Sequence, residues 1–351
     1  MVNVAAQRLR ELFVKHIENP FHEDMNGIIG QLTSITRLRL TAATQMAPID
    51  QIHPLTCLTN LTQLQQMWVS ATLEGLPAAA LTPLTRLTSV SLSHASVHTW
   101  AALCDLPALQ ALNMGAYALL NGSESYVSNV NSMPQLVVPD ALMMPKLTFL
   151  QLHCCHPLTG NLSVLGSLKA LKELDCKFVY PLPGQSVAFS SALGSLCQLT
   201  RLSLDHVHGA TGADQVDHVQ LTCLSSLHEL VDLRVSCCWL RDGISLPTAI
   251  SRLQSLDLSW NHFASLPAVK GLTNLTKIIM DGQSGADFQI RQPLSEFWAD
   301  LPELHLLSLQ QASVALSCQH MWDLVSFGHF ADLLPTTKAS KPRIEEAAYL
   351  Q

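Results

Sequence analysis

A leucine-x-x-leucine-x-leucine pattern, with conservative replacements, returns along this chain at intervals of 22 to 38 residues. Clear copies are Leu84-x-x-Leu87-x-x-Val90-x-Leu92, Leu196-x-x-Leu199-x-x-Leu202-x-Leu204 and Leu253-x-x-Leu256-x-Leu258-x-x-Asn261. The last apolar residue of successive copies falls at Leu40, Val69, Leu92, Met114, Leu152, Cys176, Leu204, Val235, Leu258, Met280 and Leu309. Side chains alternate across a strand, so Leu202 and Leu204 point into a core while Arg201, Ser203 and Asp205 point away from it. Just upstream, leucines recur every third residue, as at Leu162, Leu165, Leu168, Leu171 and Leu174. That spacing fits 3₁₀ or short helical turns rather than strands. Eleven such strands stacked in parallel make a curved sheet roughly 50 Å long at about 4.8 Å per strand. Each unit buries its leucines only against its neighbours, which defines an α/β solenoid that folds as one domain.

Segments such as Leu58-Thr59-Asn60-Leu61-Thr62, Leu81-Thr82-Pro83-Leu84-Thr85 and Leu272-Thr273-Asn274-Leu275-Thr276 resemble the short repeats of leucine-rich-repeat proteins of the internalin and phosphatase-regulator type. The resemblance covers about residues 28 to 316. It implies a horseshoe with about eleven parallel strands on the concave face and irregular short helical or 3₁₀ segments on the convex side. It also implies binding rather than catalysis, although unrelated binders share this fold. The family places an asparagine three residues after the last leucine, where its amide bonds neighbouring backbone inside the stack. Here that column reads Ala43, Thr72, Ala95, Tyr117, Cys155, Val179, Val207, Cys238, Asn261, Gln283 and Ala312. With a single asparagine left, the other turns must satisfy their backbone groups differently, and the horseshoe is expected to be irregular.

A solenoid needs caps over its terminal units. Leu9, Leu12, Phe13 and Ile17 share one helical face, which predicts a helix over residues 4 to 18 within an N-terminal cap of residues 1–27. Residues 28–316 form the solenoid. Met321, Leu324, Val325, Phe330 and Leu334 predict a C-terminal cap over 317–334, followed by a polar tail over 335–351. The longer repeats carry extra residues after the strand, near 43–57, 117–141, 179–191, 207–220 and 283–297. Insertions at one phase emerge on one side and can build a rim beside the sheet. In the longest, Tyr126, Val127, Val130, Leu136, Val137 and Val138 are apolar enough to pack on the solenoid or on a partner, with a plain flexible loop as the alternative.

Composition narrows the function. Hydrophobic residues make up 48% and charged residues 13%, against roughly 25% charged in an average soluble chain. With a mean hydropathy of +0.23, little charge is left to solvate the outer faces, so protein partners are expected to cover part of them. A net charge of -7 without basic runs argues against nucleic acid. No apolar stretch is long enough to predict a membrane span. Arg8, Arg10, Glu11 and Lys15 break up any signal-peptide core. The ten cysteines form no terminal cluster, which points to free thiols in a reducing, intracellular compartment.

No phosphate loop, nucleophile elbow or carboxylate pair predicts an enzyme, and neither a cofactor nor a small-molecule substrate is expected. His153-Cys154-Cys155-His156 offers metal donors, but strand alternation sends neighbours to opposite sides. His206, His208 and His218 read as surface histidines, and the paired Cys237 and Cys238 as packing residues, so no metal site is expected. What remains is the outward row of the sheet. Its candidate partner-binding residues are Arg37, Arg39, Trp68, Phe149 and His153 in the first half. In the second half they are Asp175, Arg201, Asp205, Asp232, Arg234, Asp257 and Asp281. The expectation is a docking surface for a protein with a mixed or basic patch, anchored on Trp68 and Phe149; a self-paired, solvated sheet is the alternative. The chain is thus expected to be a non-enzymatic scaffold or adaptor in a multi-subunit intracellular assembly. The alternative is a regulator of a phosphatase or GTPase, which would meet Arg37, Arg39, Asp205 or Asp257.

Overall fold

Alternating leucines become parallel strands. The computed structural model describes residues 8–17, 23–42, 56–70, 81–93, 97–115, 136–153, 158–177, 179, 186–207, 221–242, 246–283, 288–289, 299–309 and 314–315. The strands are β1 (Glu11–Ile17), β2 (Arg37–Ala42), β3 (Gln66–Ser70), β4 (Ser89–Ser93), β5 (Ala111–Gly115), β6 (Leu136–Val138), β7 (Phe149–His153) and β8 (Leu158–Gly160). They continue as β9 (Glu173–Lys177), β10 (Arg201–Asp205), β11 (Asp232–Ser236), β12 (Ser255–Asp257), β13 (Lys277–Ile279), β14 (Phe288–Gln289), β15 (Leu306–Ser308) and β16 (Val314–Ala315). Twelve of them form one open sheet in chain order, which skips only β6, β8, β14 and β16. At about 4.8 Å per step the sheet runs roughly 53 Å.

From β2 onward the register never slips between strands; the one irregularity among the described strands lies between Val14 and Ile17 of β1. Leu112, Leu150, Leu174, Leu202, Leu233, Leu256 and Ile278 stand directly opposite one another from strand to strand. All seven are at most 2% exposed, each contributing about 1.5–3 kcal/mol by leaving water. A one-residue slip would turn this whole row outward, so burial itself fixes the register. The spacing-of-three ladder closes as 3₁₀-type turns, in which Leu84, Leu87, Leu199 and Leu227 each donate an N–H to the carbonyl three residues back at 2.9 Å. Threonines clip repeat to repeat. Thr88, Thr200 and Thr276 each hydrogen-bond, through N–H and hydroxyl, a carbonyl of the preceding repeat.

Among the described residues the convex side carries three 3₁₀ segments (Thr56–Asn60, Leu162–Ser167, Leu221–Ser226) and the helices α1 (Glu23–Gly30), α2 (Val97–Cys104) and α3 (Ser186–Gly194). The end of the 179–191 insertion therefore builds α3, packed against the two neighbouring 3₁₀ segments, rather than a rim beside the sheet. The end of the longest insertion packs on the solenoid, because β6 pairs with β8 and Val138 is buried. In the last insertion, β14 pairs with β16 as a small separate sheet.

The N-terminus departs from expectation. Instead of a helix over residues 4 to 18, β1 lies parallel to β2, with Glu11 opposite Arg37 and Phe13 opposite Arg39. The sheet thus has twelve strands where eleven were expected. Leu12 and Val14 pack on the core while Glu11 and Phe13 face out, a period of two hidden inside a pattern that also fits a helical face. The edge of β2 offers unpaired N–H and C=O groups that a strand satisfies and a helix cannot. The expected C-terminal cap (317–334) and tail (335–351) lie outside the described residues. Among the described residues, no helix is long and apolar enough to cross a membrane.

Candidate functional site

Outward side chains of the twelve strands line up in three columns, and the charges divide them. In the first column Arg37 pairs with Glu11 at 2.8 Å and Arg201 with Glu173 at 2.9 Å. These pairs are solvent-exposed and worth no more than about 1 kcal/mol each. Phe149 and Asp232 sit in the same column, both half-buried. In the second column Gln151 donates to Asp175 at 2.7 Å, with His153 of the third column 3.6 Å away. Burial works to raise the Asp175 carboxyl, but hydrogen bonds from His153, Gln151 and Ser203 and the charge of His153 prevail and hold it below its ordinary range.

Asp205 is the hub of the second half. It was expected as an exposed docking residue, yet it is only 8% exposed, because the chain turns over the end of each strand there. One carboxylate oxygen accepts from His206 at 2.8 Å and from Ser236 at 3.0 Å. The other faces Lys177 at 3.7 Å and Arg234 at 3.9 Å. Arg234 also reaches Asp257 at 3.5 Å, and Asp257 accepts from the N–H and hydroxyl of Ser259. Desolvation opposes the Asp205 charge, but the hydrogen bonds of His206 and Ser236 and the charges of His206 and Arg234 outweigh it, so this carboxyl too lies below its ordinary range. Asp281 accepts from Ser308 at 2.7 Å.

Cys237 brings a thiol to this cluster. One donor atom each from Asp205, His206 and Cys237 lies within 4.8 Å of the others. Two cations already face Asp205, and burial followed by the charge of Asp205 pushes the thiol up to about 11. That donor set suits a hydrogen-bonded hub better than a cation, which needs a thiolate and a free carboxylate.

Behind the hub runs the column where the family places asparagine. Val179, Val207, Cys238, Asn261 and Gln283 are all buried. Asn261 accepts from the N–H groups of Cys238 and Leu240 at 3.0 and 3.1 Å and donates to the carbonyls of Val235 and Leu258 at 2.7 and 2.9 Å. Gln283 reproduces half of this, accepting from Phe263 and donating to Leu258. The Cys238 thiol faces the carbonyls of Leu204 and Ser236 at 3.4 and 3.1 Å. One residue earlier, His206, Cys237, Trp260 and Gly282 share a left-handed backbone, with φ of 54°, 54°, 57° and 63°. The first three donate their N–H groups to a carbonyl of the next repeat, at Ser236, Ser259 and Asp281. The Trp260 ring lies so close to Gly282 that an added Cβ would sit 2.5 Å from it, which leaves no room for a side chain there.

The first half is different in kind. The Arg39 guanidinium lies 3.6 Å from the centre of the Trp68 ring. Its buried Nε has no hydrogen-bond partner among the described residues. Trp68 is 37% and Phe13 56% exposed, flanking Arg39 on neighbouring strands. Beyond Trp68 the outward side chains shrink to Ser89, Ser91, Ala111, Asn113 and Gly115. Gly115 allows close approach of the next strand, since a Cβ there would meet the His153 carbonyl oxygen at 2.3 Å.

The structure therefore gathers Asp205, Arg234 and Asp257 into one network, joins Asp175 to His153, and stacks Arg39 on Trp68. Three exposed aromatics escaped the sequence reading. Phe13 was assigned to a helix, though its alternation with Leu12 and Val14 signalled a strand. Trp239 and Trp260, 39% and 53% exposed, follow the strands in left-handed turns that no local pattern announces.

No protein-family model matches the chain, and no curated protein matches it in sequence. Solved structures do. The fold is similar to that of Toll in the Toll–Spatzle complex of Drosophila, at 14% identity and a TM-score of 0.56 over 89% of this chain and 42% of that one. It is also similar to a plant peptide hormone receptor, RGFR1, in complex with RGF2, at 17% identity and a TM-score of 0.51 over 94% of this chain and 48% of the receptor. The chain spans about half the length of these two proteins. An internalin from Listeria monocytogenes aligns at 17% identity over 90% of this chain and 89% of its own, with a TM-score of 0.40. The fold is that of the leucine-rich-repeat solenoids.

Proposed function

We propose that this chain is a non-enzymatic protein-docking solenoid, acting as a scaffold or adaptor in a larger assembly and binding through its concave sheet. The observation that carries the reading is the contrast between the halves of that sheet. The second half ties Glu173, Asp205 and Asp257 to its own bases, whereas the first half presents Phe13, Trp68 and an Arg39 without an acidic partner among the described residues. Exposed aromatics and arginine gathered in one patch are what interface centres are enriched in. The two similar structures described above are themselves complexes with partner molecules, which supports a binding role by analogy of fold. The expected partner of mixed or basic charge gives way to a partner that meets the first half. We place the protein in a reducing compartment, because Cys238 sits in the buried asparagine column as a thiol facing the carbonyls of Leu204 and Ser236.

Native purification of the tagged chain tests this reading. A stoichiometric protein partner is expected, retained by the convex variant Lys169→Glu and lost by the concave variant Ser91→Arg/Asn113→Arg, in which bulk fills the sheet. A chain that purifies alone, or a partner that survives the concave variant and leaves the convex one, contradicts it.

A further inference from the structure

We propose that Arg39, held flat on Trp68 beside Phe13, is the receptor for a single carboxylate, supplied by an acidic side chain in an extended segment of the partner protein. This rests on the docking reading above and names the chemistry of the partner.

Four arginines face outward from the main sheet, and three already have a carboxylate. Arg37 has Glu11, Arg201 has Glu173, and Arg234 has Asp257 and Asp205. Among the described residues Arg39 has only the Trp68 ring, and its Nε is withdrawn from water without a hydrogen bond. A partly desolvated guanidinium with unmet donors is costly until an acceptor arrives, and a planar fork is built to take a carboxylate edge-on through two parallel hydrogen bonds. The sheet cannot supply that acceptor internally. Glu11 is the only acid among β1 to β5 and β7, and it is committed to Arg37.

The charge count also selects the ligand. A phosphate dianion calls for a second cation, and among the described side chains the adjacent Arg37 is already paired with Glu11, so one guanidinium matches one carboxylate. The two aromatic neighbours fix what flanks it. Phe13 and Trp68 are two strands apart, about 10 Å, with Arg39 between them, so apolar residues on either side of the acid would each cover one ring. Stacking also holds the guanidinium in place beforehand, which lowers the ordering cost of binding.

A random display library of peptides about ten residues long, selected on the full chain and followed by affinity measurement, tests the assignment. Enrichment of Asp or Glu beside an apolar residue is expected. Replacing the selected acid by its amide, or making Arg39→Lys or Arg39→Met, should weaken binding about tenfold or more, since lysine keeps the charge but not the fork. Arg37→Gln should change it less than about twofold, as a solvated pair would. An unchanged thermal unfolding curve for Arg39→Lys separates lost binding from lost folding. Selection of neutral, basic or phosphorylated peptides over acidic ones, undiminished binding to both Arg39 variants, or no selected binder at all would overturn the proposal. A native partner that crosslinks to the concave sheet of Arg39→Met as well as to wild type would sink this assignment alone and leave the docking reading standing.

Discussion

Asp205 shows how one residue can be placed correctly by its sequence phase and still be misread. Its position at the end of an outward row was legible, but its burial depends on the turn that follows and on Ser236, 31 residues away. Local periodicity contains neither. Its carboxyl is held below the ordinary value of 3.8, so its stabilising contribution is fully present above that pH and is lost as pH falls through the lower folded value. Asp205→Asn should cost about 1–3 kcal/mol at neutral pH. Urea unfolding at neutral pH and again below pH 3.8 should show the gap between wild type and variant narrowing in acid; a constant or widening gap would contradict the hub. The same contrast marks the asparagine column. That it is buried followed from the repeat, whereas the way Cys238 and Gln283 share the backbone groups with Asn261 depends on side-chain reach.

At the scale of elements, the parallel strands and 3₁₀ turns were legible because each is driven by a strict leucine period that burial enforces. The N-terminal element was not. Leu9, Leu12, Phe13 and Ile17 suit a helical face, Leu12 and Val14 suit a strand, and the unpaired edge of β2, which the local sequence does not contain, decides between them. The strand reading has a direct consequence. The Arg10 carbonyl accepts from the N–H groups of Thr36 at 2.7 Å and Arg37 at 3.1 Å. Removing the chain through Ile17 should therefore raise hydrogen exchange at Thr36 and Arg37 while the amides of β10 and β11 keep their protection. Unchanged exchange at those two amides would favour a cap that does not pair with β2. The clipping threonines, visible as a recurrent leucine-threonine pair, had no readable role until the repeats were stacked.

For the molecule as a whole, the fold was legible from the repeat, and the site only in outline. The outward row placed Arg39 and Trp68 on the concave face but could not say that they stack, nor that Phe13 joins them. It also could not say that Lys177, Asp205, Arg234 and Asp257 satisfy one another, since pairing across strands depends on distances between residues 23 to 29 apart in the chain. The resulting asymmetry, with a charge-paired second half and an open aromatic and cationic first half, is what makes the sheet a docking surface in this account. The most direct test is site-specific photo-crosslinking in the native cell, with the reactive group at Ser91 on the concave sheet and, for comparison, at Lys169 on the convex side. A docking concave sheet yields a discrete protein adduct from Ser91 and none from Lys169. Adducts from Lys169 alone, or none from Ser91, would contradict it.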